Sequence, residues 1–282
     1  QFYEGNLMRL ATVRQGDSTT AVMIDGEQAR LLAARDVAEV LARGLDSIRD
    51  LWTTSFLPVS QLDFAPLVPN PSAIWCVGLN YAGHAEETGM PLPDFPTVFS
   101  KMASSLIGAH DDIRFPPASV SEQLDWETEL VLVIGQPVRY ADETEAEAAI
   151  VGYSVGNDIS VRDWQLRTTQ WLLGKTLESS TPVGPWLITK DEFGSLEGKA
   201  ITCEVDGQLV QHSDLADLHF KPATLVSCIS QMATLNPGDL IFTGTPGGVA
   251  LTREGQPWLT PGSVVRTHVE GIGDLVNTCV RR

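Results

Sequence analysis

Positive charge is scarce in this sequence: 19 Lys and Arg stand against 36 Asp and Glu, a formal net charge of -17. Such a field repels a phosphate backbone, and no Lys/Arg cluster overcomes it locally, so nucleic acid is excluded as a partner. Cysteine is sparse too. Cys76, Cys203, Cys228 and Cys279 are widely spaced with no C-x-x-C pair, which reads as free thiols in a reducing compartment. No run of about 18 apolar residues is present, so no membrane span or membrane partner is expected. The five histidines show neither H-x-x-x-H nor H-E-x-x-H spacing, which argues against zinc. No charged-then-apolar leader opens the sequence, and a cytoplasmic enzyme is expected.

There is ample material for a core. Hydrophobic residues make up 43% of the 282, charged residues only 20%, so one large domain, or one large and one small, is expected. The acidic balance also means that an anionic substrate needs a local positive centre, either a metal or a placed Lys or Arg.

Residues 1–70 read as a small N-terminal α/β domain and connector. Two β-like runs, Leu7–Val13 and Thr20–Ile24, end in an Asp25-Gly26 turn. Asp36 is a candidate N-cap for helical spacing that runs on to Trp52, and Pro58, Pro66, Pro69 and Pro71 then impose an extended path. Residues 71–282 change texture to short β-rich runs, among them Thr97–Ser100, Glu127–Ile134, Val151–Asn157, Ala200–Val205, Leu209–His212, Leu240–Thr243 and Val264–Val269. Asp206-Gly207 is the strongest hairpin signal. Helical spacing appears at Glu143–Ile150 and Thr224–Leu235. The fold class predicted is α+β, β-rich, with sheets curled into a barrel or roll.

The stretch Trp126-Glu127-Thr128-Glu129-LVLVIG places two carboxylates on one face at the head of a strand apolar on both sides. If that strand head is exposed, the glutamates are simply solvated. If it is buried, they demand a proton or a cation between them, and oxygen-only ligands select Mg2+, Mn2+ or Ca2+. Asp158, which ends the next apolar run, supplies a third acid. Lys175 in WLLGKT is either a solvated lysine or one that faces a bound anion. Arg162 and Gln165 share a helix face if a helix starts near Ser160. His84 and Glu87, at i,i+3, are either an exposed helical pair or a base oriented by a carboxylate. The loop Thr243–Val249 is a tight turn or a close backbone approach to a ligand; it lacks a P-loop lysine.

The segments GLNYAGHAEE (78–87), PTVFSK (96–101), DWETELVLVIG (125–135), VGNDISVRDWQ (155–165), GKT (174–176), GP (184–185) and LIFTGTPGGV (240–249), in this order, closely resemble the fumarylacetoacetate hydrolase family. The likeness runs from about Pro69 to the C-terminus and includes GSVVRTHVEGIGDLVN. It implies a mixed β-sandwich roll, a homodimer and a Mg2+ or Mn2+ site, with Ca2+ as a crystallographic substitute. By that resemblance Glu127, Glu129 and Asp158 are the metal ligands, His84 and Glu87 the catalytic dyad on a lid segment, and Lys175 a lysine near the substrate. Lys101, Arg162, Gln165 and Thr245 match substrate-contacting positions. No counterpart is seen for the further metal-binding aspartate of larger members, so waters or substrate oxygens would complete an octahedron. The implied activity is hydrolysis of a C–C bond in a small anionic 2-oxo acid of the acylpyruvate or fumarylpyruvate type, with water activated by His84. Decarboxylases of oxaloacetate-like acids, isomerases of ring-cleavage products and hydrolases of diketo-deoxy sugar acids share the same chemistry. A non-catalytic binder of small acids is the reading from another class.

Overall fold

The computed structural model describes residues 8–89 and 91–281, apart from the side chains of His84 and Thr88. The apolar run after Glu127 forms the strand Thr128–Ile134, and every residue of it is buried. Alternation divides these side chains between two cores. Leu130, Leu132 and Ile134 join a cluster with Val155, Ile201, Val269 and Leu275. Val131 and Val133 join a second one with Val37, Val40, Cys76 and Phe242. A strand apolar on both faces needs a layer on each side, and the two clusters supply them.

Among the described residues the larger sheet has eleven strands. From its middle to one edge it runs through Thr181–Thr189, Ile150–Asn157, Thr128–Ile134, Leu240–Phe242, Ile74–Gly78 and Thr97–Ser100. Leu240–Phe242 pairs parallel to Ile74–Gly78, whereas Thr128–Ile134 is antiparallel to both of its neighbours. The smaller sheet orders Gln208–Asp214, Ala200–Val205, Val264–Val269, Gly273–Arg281 and Ile113–Phe115. Because Ile201, Val269 and Leu275 of this sheet share a cluster with Leu130 and Leu132, the first core lies between the two sheets. The result is the β-rich α+β roll expected from the sequence.

The leading segment extends the larger sheet. Arg9–Gln15 pairs with Thr181–Thr189, and Ser18–Asp25, Gln28–Leu32 and Trp52–Pro58 follow outward. The helical spacing expected from Asp36 to Trp52 breaks into two pieces. Asp36 caps its helix by accepting from the Glu39 N–H at 2.8 Å, but that helix is Val37–Arg43; Leu45–Leu51 is a 3-10 helix and Trp52 begins a strand. The apolar period persists across the break because Ile48 and Leu51 enter the same cluster as Val37, Val40 and Leu41. The unexpected edge strand Trp52–Pro58 is held by Arg30, whose guanidinium stacks 4.7 Å from the Trp52 ring and 4.3 Å from Phe56.

Elsewhere the expected elements form with shifted ends. The second long helix is Pro222–Ser230 rather than 224–235, with Pro222 in the first turn, where no N–H is needed. Asp206 and Gly207 carry φ of 51° and 78° and join two strands, as their hairpin signal demands. The strand Gly273–Arg281 was not expected. The four cysteines are free, and among the described residues no helix is long and apolar enough to cross a membrane.

Leu132, fully buried between the sheets, tests this layering. Leu132→Ala should lower unfolding free energy by about 2–5 kcal/mol in urea titrations, with the slope unchanged. A loss within about 0.5 kcal/mol, the surface-substitution range, would contradict the two-sided burial.

Candidate active site

Two strand ends build the site. Register pairs Thr128 with Asn157, so Glu127, which precedes one strand, comes beside Asp158, which follows the other. The Asp158 N–H donates to the Glu127 carbonyl at 2.8 Å, and the Glu127 N–H donates to Asn157 Oδ1 at 2.9 Å. Glu129 lies one pleat further along the same face. Ligand oxygens of Glu127, Glu129 and Asp158 all fall within 4.8 Å of one another, and the residues are 5%, 1% and 0% exposed. The strand head is therefore buried, and solvent does not neutralise these acids.

Three cations approach from other elements. Lys101, just after the strand Thr97–Ser100, places Nζ 2.5 Å from Asp158 Oδ1. Lys175, which ends the one-turn helix Leu172–Lys175, donates to Glu127 Oε2 at 2.6 Å and Asp158 Oδ2 at 3.0 Å. Arg162, in the turn Arg162–Gln165, bonds Asp125 through Nε at 2.8 Å and Glu127 through Nη1 at 2.7 Å. All three side chains are buried. Burial alone would strip the charge from Lys175, but Asp158 and Glu127 outweigh it and raise its pKa. Its ammonium is turned toward the two acids.

Four buried carboxyl groups thus face three buried cations, which leaves Glu129 either to keep its proton or to meet a further positive charge. Its Oε2 accepts from the Gly244 N–H at 2.6 Å. Burial, then Asp158 and Glu127, push its carboxyl well above the usual carboxylate range. A hard divalent cation among the three acids would take the place of that proton, and this all-oxygen donor set fits one.

Beside the acids is a cavity of about 100 Å³ lined by Phe99, Glu127, Arg162, Gln165, Lys175 and Thr245. Gln165 is set by Arg162, whose Nη1 donates to its Oε1 at 2.8 Å. Thr245 is set by Gln211, whose Nε2 donates to its Oγ1 at 2.8 Å. Eight of the ten residues singled out from the sequence therefore converge: Lys101, Glu127, Glu129, Asp158, Arg162, Gln165, Lys175 and Thr245. Glu87 does not line this cavity. Its carboxylate accepts from the Gly248 N–H at 2.8 Å and Thr252 Oγ1 at 3.2 Å, beside a second cavity lined by Tyr81, His212 and Asp217. The loop approaches closely there, since a Cβ on Gly247 would sit 2.7 Å from Glu87 Oε1. His84 belongs to the same helix, Ala82–Thr88, but its side chain lies outside the described residues.

Sequence reasoning missed three buried polar groups. Asp125 stands two residues before Glu127, on the same strand parity, and that spacing was the available signal. Gln211 and Asn157 carry none; they become functional only through the contacts above.

The chain belongs to the fumarylacetoacetate hydrolase family: residues 73–280 match the model of the fumarylacetoacetate (FAA) hydrolase C-terminal domain. It is 42% identical over 226 residues to a mitochondrial oxaloacetate tautomerase of Bos taurus, a match covering 79% of this chain and 71% of that protein. Fumarylacetoacetate hydrolase from the psychrophilic Exiguobacterium antarcticum superposes with a TM-score of 0.86 at 29% identity, covering 98% of this chain and 100% of that one. For 2-hydroxyhepta-2,4-diene-1,7-dioate isomerase from Mycobacterium marinum the values are 0.81 and 30%, covering 98% and 99%.

The raised Glu129 pKa has a testable sign. In metal-free protein, ionising this carboxyl costs the folded state more than the unfolded chain, so stability falls as pH climbs from the ordinary 4.5 toward the raised value. In EDTA, Glu129→Gln should melt higher than wild type near pH ~8, with the gap closing below about pH 4. Added Mn2+ should stabilise wild type and not the variant. A wild type that melts at or above the variant near pH ~8 in EDTA would contradict the assignment.

Proposed function

We propose that the protein is a Mg2+- or Mn2+-dependent enzyme that interconverts the enol and keto forms of a small 2-oxo dicarboxylic acid such as oxaloacetate. The observation that carries this reading is the buried cluster of Glu127, Glu129 and Asp158 beside a small, largely apolar cavity that Arg162 and Lys175 help to line. The likeness to the bovine tautomerase supports the substrate class. A bound divalent cation would supply Lewis-acid polarisation of a 2-oxo group and a template for the neighbouring carboxylate.

The chain's own residues do the rest. Lys175, which lines the cavity beside Glu127 and Asp158, offsets negative charge that develops on the substrate oxygen. Arg162, Gln165 and Thr245 orient the acid against the cavity wall. As the enol oxygen gives up its proton, one is delivered to the adjacent carbon, so no atom is gained or lost. His84 is the residue we assign to that transfer, with Glu87 holding its helix in place. Hydrolysis of an acylpyruvate-type C–C bond is the second reading, favoured by the overall likeness to a fumarylacetoacetate hydrolase. It needs the same charge placement plus an attacking water beside His84. We further infer a homodimer and a cytoplasmic protein, the latter from its four free thiols; the bovine relative is mitochondrial.

EDTA should abolish turnover, and Mg2+ or Mn2+ should restore it. With enol-oxaloacetate, enol absorbance should decay faster than in buffer without release of carbon dioxide. With an acylpyruvate, two separate acids should appear only if the second reading holds. His84→Ala should lower kcat by roughly 10²–10⁴-fold, the usual worth of a positioned acid or base. Near-wild-type turnover by His84→Ala would remove that residue from the mechanism. Light scattering should give about twice the 30.6 kDa chain mass.

A further inference from the structure

Asp125 is fully buried, and four donors converge on it. Its Oδ1 accepts from the Trp126 N–H at 2.8 Å and the Ala250 N–H at 2.7 Å. Its Oδ2 accepts from the Leu251 N–H at 3.0 Å and Arg162 Nε at 2.8 Å. A short antiparallel ladder sets this up, with Asp125 opposite Ser160 and Leu124 opposite Val161, so Arg162 emerges beside the carboxylate. The same Arg162 reaches Glu127 Oε1 at 2.7 Å through Nη1.

We propose that Asp125 is a positioning residue that acts through Arg162: it neutralises the guanidinium and holds it at the edge of Glu127, so that the Glu127 carboxylate stays available to the cation. The proposal rests on the metal-dependent reading above. Without Asp125, the full charge of Arg162 falls on Glu127, and the guanidinium competes with a divalent cation for that carboxylate. Asp125 also clamps the turn Ala250–Thr252, whose Thr252 bonds Glu87. That second task is structural and independent of Arg162.

The two tasks separate in one experiment. Mn2+ affinity, measured by the loss of the free-ion electron paramagnetic resonance signal, is compared in wild type, Asp125→Asn, and Asp125→Asn/Arg162→Gln, with melting temperature followed in parallel. Asp125→Asn should bind Mn2+ at least about tenfold more weakly. The double variant should return to within about threefold of wild type, because removing the guanidinium removes the uncompensated charge. Its turnover should stay low, since Arg162 itself lines the substrate cavity. Unchanged affinity in Asp125→Asn, or no recovery in the double variant, overturns the proposal. If Asp125→Asn alone does not fold, the double variant decides: folded with near-wild-type Mn2+ affinity supports the proposal. Folded with weak binding, or unfolded, it shows that Asp125 serves the turn instead. Wild type that binds no Mn2+ sinks the metal-dependent reading, and this inference with it.

Discussion

Mutual repulsion of desolvated carboxylates is the constraint around which this protein is arranged. Two unit charges about 4 Å apart interact by roughly 4 kcal/mol at an effective dielectric of 20, and three such acids repel pairwise. Glu127, Glu129 and Asp158 cannot avoid one another, because strand register and pleat parity fix where they emerge. The cations that offset them come from separate parts of the chain: Lys101 from the end of an edge strand, Lys175 and Arg162 from one-turn helices. Each reaches the acids only when the larger sheet and its covering loops are assembled. Tertiary structure and site electrostatics are therefore the same problem.

A strand buried on both faces is what makes the placement rigid. Leu130, Leu132 and Ile134 pack toward the smaller sheet while Val131 and Val133 pack the other way. Slipping its register by one residue would turn Glu129 into a hydrophobic layer and move Glu127 away from Asp158. The apolar half of the strand thus specifies the position of the polar half. Burial that makes the acids costly also keeps water from screening their ion pairs with Lys175.

Much of this was legible in the sequence because it depends on local pattern. The run LVLVIG announces two-sided burial, E-x-E announces a shared face, and Asp158 and Lys175 stand out as charges in apolar company. Asp36 as a cap and Asp206-Gly207 as a hairpin turn are equally local. The failures share a cause in tertiary packing. One apolar period runs from Val37 to Leu51, yet the backbone changes from α-helix to 3-10 helix within it, since both pieces bury the same side. Trp52–Pro58 is a strand because Arg30 covers its rings. Gln211 and Asn157 look like ordinary surface amides until Thr128, Thr245 and Glu127 close around them.

The site divides into a part that sets charge and a part that sets what is done with it. The charged cluster is held by strands and by backbone N–H groups such as that of Gly244. The helix Ala82–Thr88 is held at its start by Asn80, which bonds Phe220 and Thr243 on both sides of its amide, and near its end by Glu87 on Gly248 and Thr252. One bond of each anchor, to the Thr243 carbonyl and from the Gly248 N–H, falls on the backbone of the loop Thr243–Gly248. Movement of this helix is therefore tied to the loop whose Gly244 bonds Glu129 and whose Thr245 lines the cavity. In the proposed chemistry, stabilising an enolate would call on the fixed cluster, whereas delivering a proton or a water to carbon would call on His84 of the tethered helix. Relatives with tautomerase, isomerase and hydrolase names can share the first part and differ in the second. If His84 has the role proposed for it, reaction type in this chain would be decided where the helix meets the loop, not among the buried acids.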